Sequence, residues 1–131
     1  MLRTEVIFMY EWTAVFLTGA TLYGSIELLS RGWTHWSMLL AGGFCVCAMY
    51  AIANYTHFRT LWKCILCALL ITGVEFLCGI IFNMYLDLHI WDYSSRPLNV
   101  LGQICPTYTM IWLGLSVPGL WLCKGLHRMV H

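Results

Sequence analysis

The sequence predicts an all-α, polytopic membrane protein. The architecture expected is a four-transmembrane-helix bundle with a partly re-entrant outer connection between helices three and four. Three observations carry this. First, 60% of the 131 residues are hydrophobic and only 10% are charged, against about 45–50% and about 25% in an ordinary soluble domain. The mean hydropathy is +0.74. Second, four apolar stretches each reach the roughly 20 residues a helix needs to cross about 30 Å of hydrocarbon. Third, these stretches are too long for strands and show no strict alternation. A disordered chain and an ordinary soluble globule are excluded on the same grounds. Nucleic acid is excluded as a partner, because seven Lys+Arg against six Asp+Glu leave a net charge of +1 and no cationic footprint.

The first span is expected over about residues 6–29, with Glu11 near its start and Glu27 near its end. Arg3 gives a weakly basic start. Glu5 and Glu11 break the pattern of a cleavable signal, and the apolar run outlasts one, so this is read as a true span. The second span, about 36–55, lies in a stretch free of Lys, Arg, Asp and Glu from Gly32 to Phe58. The third, about 63–86, is interrupted only by Glu75. The fourth, about 103–123, falls in a charge-free run from Pro97 to Cys123. With no repeat or linker dividing it, the chain over residues 1–131 reads as one integral membrane domain.

Orientation follows from Lys and Arg in the short flanks. Arg3, Arg59, Lys63, Lys124 and Arg128 fall on one side, Arg31 and Arg96 on the other. The richer side contains both termini, which are therefore expected in the cytoplasm. Lys63 is expected to snorkel to that interface. The connection bearing Asp87, Asp92 and Arg96 then faces outward.

Polar groups inside lipid are costly, so each needs a partner, a proton or water. Glu75 lies about twelve residues into its span, near mid-membrane at about 1.5 Å rise per residue. Thr72, Glu75, Gly79 and Asn83 share one helical face, which is expected to point into the bundle. Its functional reading is a site for a proton, cation or polar solute. Its structural reading is a protonated acid joining helices. Glu27 and Arg31 stand at i, i+4, suited to an ion pair that either anchors the helix end or lines an outward cavity with Glu75. Glu11 is expected to be shallow and solvated by headgroups.

The connection from Asp87 to Gly102 is dense in hydrogen-bonding groups. Trp91 and Tyr93 suit an interface, Asp92-Tyr93-Ser94 suits a turn, and Pro97 stops a regular helix. The segment either re-enters the bundle, with its backbone satisfied by protein or water, or caps it through an Asp92–Arg96 pair. Gly42, Gly43, Thr107 and Gly114 read as close-packing positions.

Of the seven cysteines, Cys45, Cys47, Cys64, Cys67, Cys78 and Cys123 are read as small apolar residues within or beside spans. Cys64 and Cys67 form a C-x-x-C without a second pair to complete a zinc site. Cys105, nearest the outer connection, is the one expected to be exposed. His35 beside Trp36 reads as interfacial, and none of the histidines is read as making the H-x-x-x-H or H-E-x-x-H spacing of a metal site, so no metal ligand is assigned among them. No Walker A, G-x-S-x-G or Rossmann pattern is present, so no cofactor and no catalytic residue is assigned.

Ile26-Glu27-Leu28-Leu29-Ser30-Arg31-Gly32-Trp33-Thr34-His35-Trp36-Ser37-Met38 resembles a stretch of the bacterial ABC-transporter type IV permease family. The resemblance continues through Gly42-Gly43, Thr72-Gly73-Val74-Glu75-Phe76, Trp91-Asp92-Tyr93-Ser94, Pro97-Leu98-Asn99-Val100-Leu101-Gly102-Gln103-Ile104-Cys105 and Trp112. It spans about residues 22 to 117; the tail beyond is shorter than in some relatives. It implies a multi-pass permease in a bacterial cytoplasmic membrane, with a separate ATPase if the system is a true ABC transporter. Glu27, Arg31, Glu75, Asp92 and Gln103 are the polar positions it carries over.

The expected function is therefore a small transporter or permease component. Its candidate substrate or ion site comprises Glu75, Glu27, Arg31, Asn83, Asp92, Tyr93, Arg96 and Gln103. Membrane lipid surrounds it, and four helices suggest a homo-oligomer or a larger membrane partner. The alternatives are an intramembrane enzyme acting on a lipid or isoprenoid, with Glu75 and Asp92 as the acid/base pair, and a non-catalytic assembly subunit.

Overall fold

The computed structural model describes residues 2–131, Ser30 by its backbone alone. Among these residues the fold is all-α. The helices are α1 (Leu2–Arg31), α2 (Trp36–Tyr55), α3 (Thr60–Cys78), continued by a π-helical segment Gly79–Tyr85, and α4 (Pro106–Val130). Four helical segments, Leu2–Leu29, Trp36–Tyr55, Thr60–Tyr85 and Pro106–Val130, are long and apolar enough to cross a membrane. The chain is a multi-pass membrane protein. Most large apolar side chains on these helices are exposed, as expected of surfaces whose solvent is lipid rather than water.

Local chemistry sets the helix ends. α1 carries Glu5 in its first turn and Arg31 in its last, both favourable to the helix dipole. It stops at Gly32, whose φ of +80° suits glycine, and whose N–H reaches Leu28 O at 3.0 Å. α2 starts at His35, whose Nδ1 accepts from the Ser37 N–H at 3.2 Å. Its observed bounds are those read from the charge-free gap. α3 starts three residues earlier than expected. α4 begins with Pro106, where a missing N–H costs nothing. It also runs seven residues past the expected end, through Lys124, His127 and Arg128. Charges end a hydrophobic count, but they do not end a helix.

The chain forms two compact units. One contains α1, α2 and Gly119–His131; the other is His57–Pro118. In the first, α1 and α2 approach at glycine. A Cβ on Gly19 would lie 2.5 Å from Val46 Cβ and 3.0 Å from the Gly42 carbonyl oxygen. A Cβ on Gly42 would lie 2.6 Å from Tyr23 Cβ. Small residues let backbones meet this closely, the usual means of helix association in lipid. Val15, Met38, Met49, Tyr50, Ala53, Leu120 and Cys123 are buried in this unit.

In the second unit, Cys64, Cys67, Ala68, Ile90, Trp91 and Cys105 are buried. Cys105 is thus interior, contrary to the exposure expected of it. Lys63 is also buried, where snorkelling was expected. The α-helix gives way at Gly79 to wider turns: Leu86 N–H bonds Ile81 O at 3.0 Å and Leu88 N–H bonds Phe82 O at 2.9 Å. The connection that follows is folded tightly. Asp87, His89, Leu98 and Leu101 adopt φ of 53–56°, a left-handed conformation that costs non-glycine residues about 1–2 kcal/mol each. The hydrogen bonds described next hold it there.

Candidate functional site

The polar face of the third span is assembled in the second unit. Thr72 Oγ1 lies 3.0 Å from Thr109 Oγ1. Glu75 Oε2 accepts from the Trp112 indole N–H at 2.8 Å, and the Glu75 carboxyl acts electrostatically on the Tyr93 phenol. Gly79 leaves room for Gln103, whose Oε1 would lie 2.5 Å from an added Cβ. Asn83 Nδ2 donates to Gln103 Oε1 at 2.9 Å. Each member of the stripe meets a group from α4 or from the segment leading into it. Glu75 therefore sits within a span, half-buried, held by a donor from α4.

Gln103 organises the connection. Besides the Asn83 bond, its Nε2 donates to Leu101 O at 2.9 Å and its carbonyl accepts from the Trp91 indole N–H at 2.9 Å. Asn83 Oδ1 accepts the Ile90 N–H at 2.6 Å. The Tyr93 N–H reaches Gly102 O at 2.7 Å. Two carboxamides thus supply the backbone partners that an irregular segment needs away from water. The wider π-helical turns place Asn83 where it serves both Ile90 and Gln103. Nothing in Gly79–Tyr85 distinguishes these residues from ordinary helix, so the sequence carried no signal for this feature.

Asp92 and Arg96 have separate partners. Asp92 Oδ1 accepts the Ser94 N–H at 2.9 Å, closing a local turn. That bond, more than the neighbouring His89, holds its carboxyl below the ordinary carboxylate range. The Arg96 guanidinium lies 5.3 Å above the Tyr108 ring. Tyr108 stacks on Tyr93 at 4.6 Å between centroids. Burial, and then the Glu75 carboxyl, push the Tyr93 phenol upward. A continuous series thus runs from exposed Arg96 through Tyr108 and Tyr93 to Glu75.

The remaining expected residues belong to the first unit. Glu27 is buried and its Oε2 accepts from Arg31 Nη1 at 3.2 Å. Arg31 also lies 4.5 Å above the Trp33 ring, a cation–π arrangement. His35 and Trp36 pack with ring centroids 5.3 Å apart.

A second polar cluster in this unit corrects the reading of Glu11. Its side chain is 2% exposed rather than solvated by headgroups. It accepts a hydrogen bond from the Tyr50 hydroxyl. Oε1 lies 3.5 Å from His127 Nδ1 and 3.1 Å from His131 Nε2. Tyr50 Oη is itself 3.0 Å from His127 Nδ1. These partners lie 39 to 120 residues from Glu11 in sequence, beyond the reach of local pattern. The reading of the histidines is corrected as well: His127 and His131 do form an H-x-x-x-H, an i, i+4 spacing that brings two imidazoles to one side of the helix end.

Comparison with known proteins gives one match. A family model described as "Putative ABC-transporter type IV" matches residues 18–130. Neither the curated proteins nor the solved structures compared with the chain match it. The matched region takes in the second half of the first span, the other three spans, the Glu27–Arg31 pair, the whole Glu75 stripe and the folded connection. By that match the chain belongs to the ABC-transporter type IV family.

Proposed function

We propose that the chain is a small transporter or permease component, and that Glu75 is the group through which it handles a proton, a cation or a polar solute. The supporting observation is the setting of Glu75. A carboxyl within an apolar span is costly to keep charged. This one is held by Trp112 and interacts electrostatically with Tyr93, which leads through Tyr108 to Arg96. An intramembrane acid held by a neighbouring helix's donor suits reversible protonation or cation exchange. Arg96, Tyr93 and Asp92 form the outer approach. Asn83 and Gln103 hold the connection that gates it. The Glu27–Arg31 pair marks the outer end of α1.

The proposed setting is a bacterial cytoplasmic membrane, with both termini inside. A four-helix chain acts there as a homo-oligomer or beside a larger membrane partner, with a separate ATPase if it works as an ABC system. The lipid-enzyme reading is less supported, because its second carboxylate, Asp92, is exposed and closes a turn on Ser94. The test is solute or proton flux in proteoliposomes. Glu75→Gln is expected to abolish coupled flux while the protein remains folded. Unchanged flux would remove Glu75 from the mechanism. Altered lipid species in a deletion strain would favour the enzyme, and stoichiometric co-purification without flux would favour an assembly role.

A further inference from the structure

From the cluster at Glu11 we infer a binding site for a divalent transition-metal ion of the zinc class, built from Glu11, His127 and His131. The site shares no residue with the Glu75 stripe and does not depend on the transport reading. Its ligand atoms, a carboxylate oxygen and two imidazole nitrogens, all lie within 4.8 Å of one another. A tetrahedral zinc ion with bonds of about 2.0–2.1 Å spaces its ligands by about 3.3 Å. The two measured edges from Glu11 Oε1, 3.5 Å to His127 Nδ1 and 3.1 Å to His131 Nε2, bracket that spacing.

The ligands are also held in place. His127 and His131 project from one turn of the C-terminal helix, with ring centroids 4.5 Å apart. The His127 ring packs against both Tyr50 and Tyr55. Glu11 is fixed by the Tyr50 hydroxyl. Aromatic packing and a hydrogen bond to a ligand group of this kind orient ligands before a metal arrives. Two imidazoles with one carboxylate favour zinc, cobalt or iron over magnesium and calcium, which take oxygen ligands. A water completes the fourth position. An ion held here ties α1 to the C-terminal end of α4 within the first unit.

The experiment is titration of the purified full chain, without a histidine tag, in lipid nanodiscs. Cobalt(II) is followed by its visible absorption bands, and zinc is added in competition. The expected result is one ion per chain with a tetrahedral nitrogen–oxygen spectrum, displaced by zinc and unaffected by excess magnesium. Glu11→Gln and His131→Ala are each expected to weaken binding by about 100-fold or more, the loss of a direct ligand costing at least as much as loss of its outer partners. A Cys64→Ser, Cys67→Ser double variant is expected to bind as the parent does. Absence of saturable binding would overturn the site. So would full binding after Glu11→Gln, or a thiolate charge-transfer band that vanishes in the cysteine variant. Should a ligand variant fail to fold, the unaltered chain still decides: zinc is expected to protect His127 and His131 from diethyl pyrocarbonate, and equal modification with and without zinc would overturn the proposal.

Discussion

The Trp112 indole N–H donates to Glu75 Oε2 at 2.8 Å, joining an acid in the third span to an aromatic in the fourth. Trp112→Phe keeps most of the ring and removes only this donor. A hydrogen bond to a charged or strongly polar acceptor contributes about 1.5–3 kcal/mol. The variant is expected to lose a similar amount in detergent unfolding. A double-mutant cycle with Glu75→Leu should return a coupling of about 1 kcal/mol or more. Additive effects would show that the two residues act independently.

Asn83 is expected to be more sensitive than its place near the end of a span suggests. Asn83→Leu removes the acceptor of the Ile90 N–H and the donor to Gln103 Oε1. Leaving buried polar groups without such partners costs about 2–3 kcal/mol. Asn83→Asp keeps the acceptor and loses the donor, so it should fall between parent and Asn83→Leu. Unfolding midpoints in mixed micelles order the three. Equal midpoints would show that the connection is held by other bonds.

Two glycine substitutions should have opposite signs. Gly19→Ala forces its new methyl against Val46 Cβ and the Gly42 carbonyl, and overpacking of this kind costs about 1–3 kcal/mol. At Gly114 a Cβ meets nothing within 4 Å, so Gly114→Ala is expected to gain up to about 1 kcal/mol from helix propensity alone. Thermal unfolding of the two variants in one detergent is the comparison.

Asp92 sets a pH dependence for the turn it closes on Ser94. Its carboxyl is held below the ordinary value of 3.8, chiefly by the Ser94 N–H. A lowered folded-state value means the turn is favoured above the unfolded value and loses that support as pH falls through the folded one. Carboxyl carbon shifts should therefore give Asp92 a midpoint under 3.8. A midpoint above it would mean that the Ser94 bond does not persist in solution.

The four spans were legible because long gaps between charges mark lipid-crossing helices, and α2, with the cleanest gap, was bounded as observed. The helical face of Thr72, Glu75, Gly79 and Asn83 was legible for a related reason: helical spacing fixes which side chains point together. Its partner Trp112 was not, because contact between spans depends on rotations that hydropathy does not encode. Glu11 shows the limit best. Its depth suggested a headgroup environment, but the burial comes from Tyr50 and the two histidines, brought in from remote segments.

The π-helical stretch between Gly79 and Tyr85 gives the chain a local tolerance to length change. Such turns hold surplus residues relative to an α-helix. Deleting one residue there lets the stretch tighten and leaves the flanking register intact. The same deletion inside α2 would rotate every later side chain by about 100° and break the glycine contact with α1. Natural indels within the spans should therefore collect at this point.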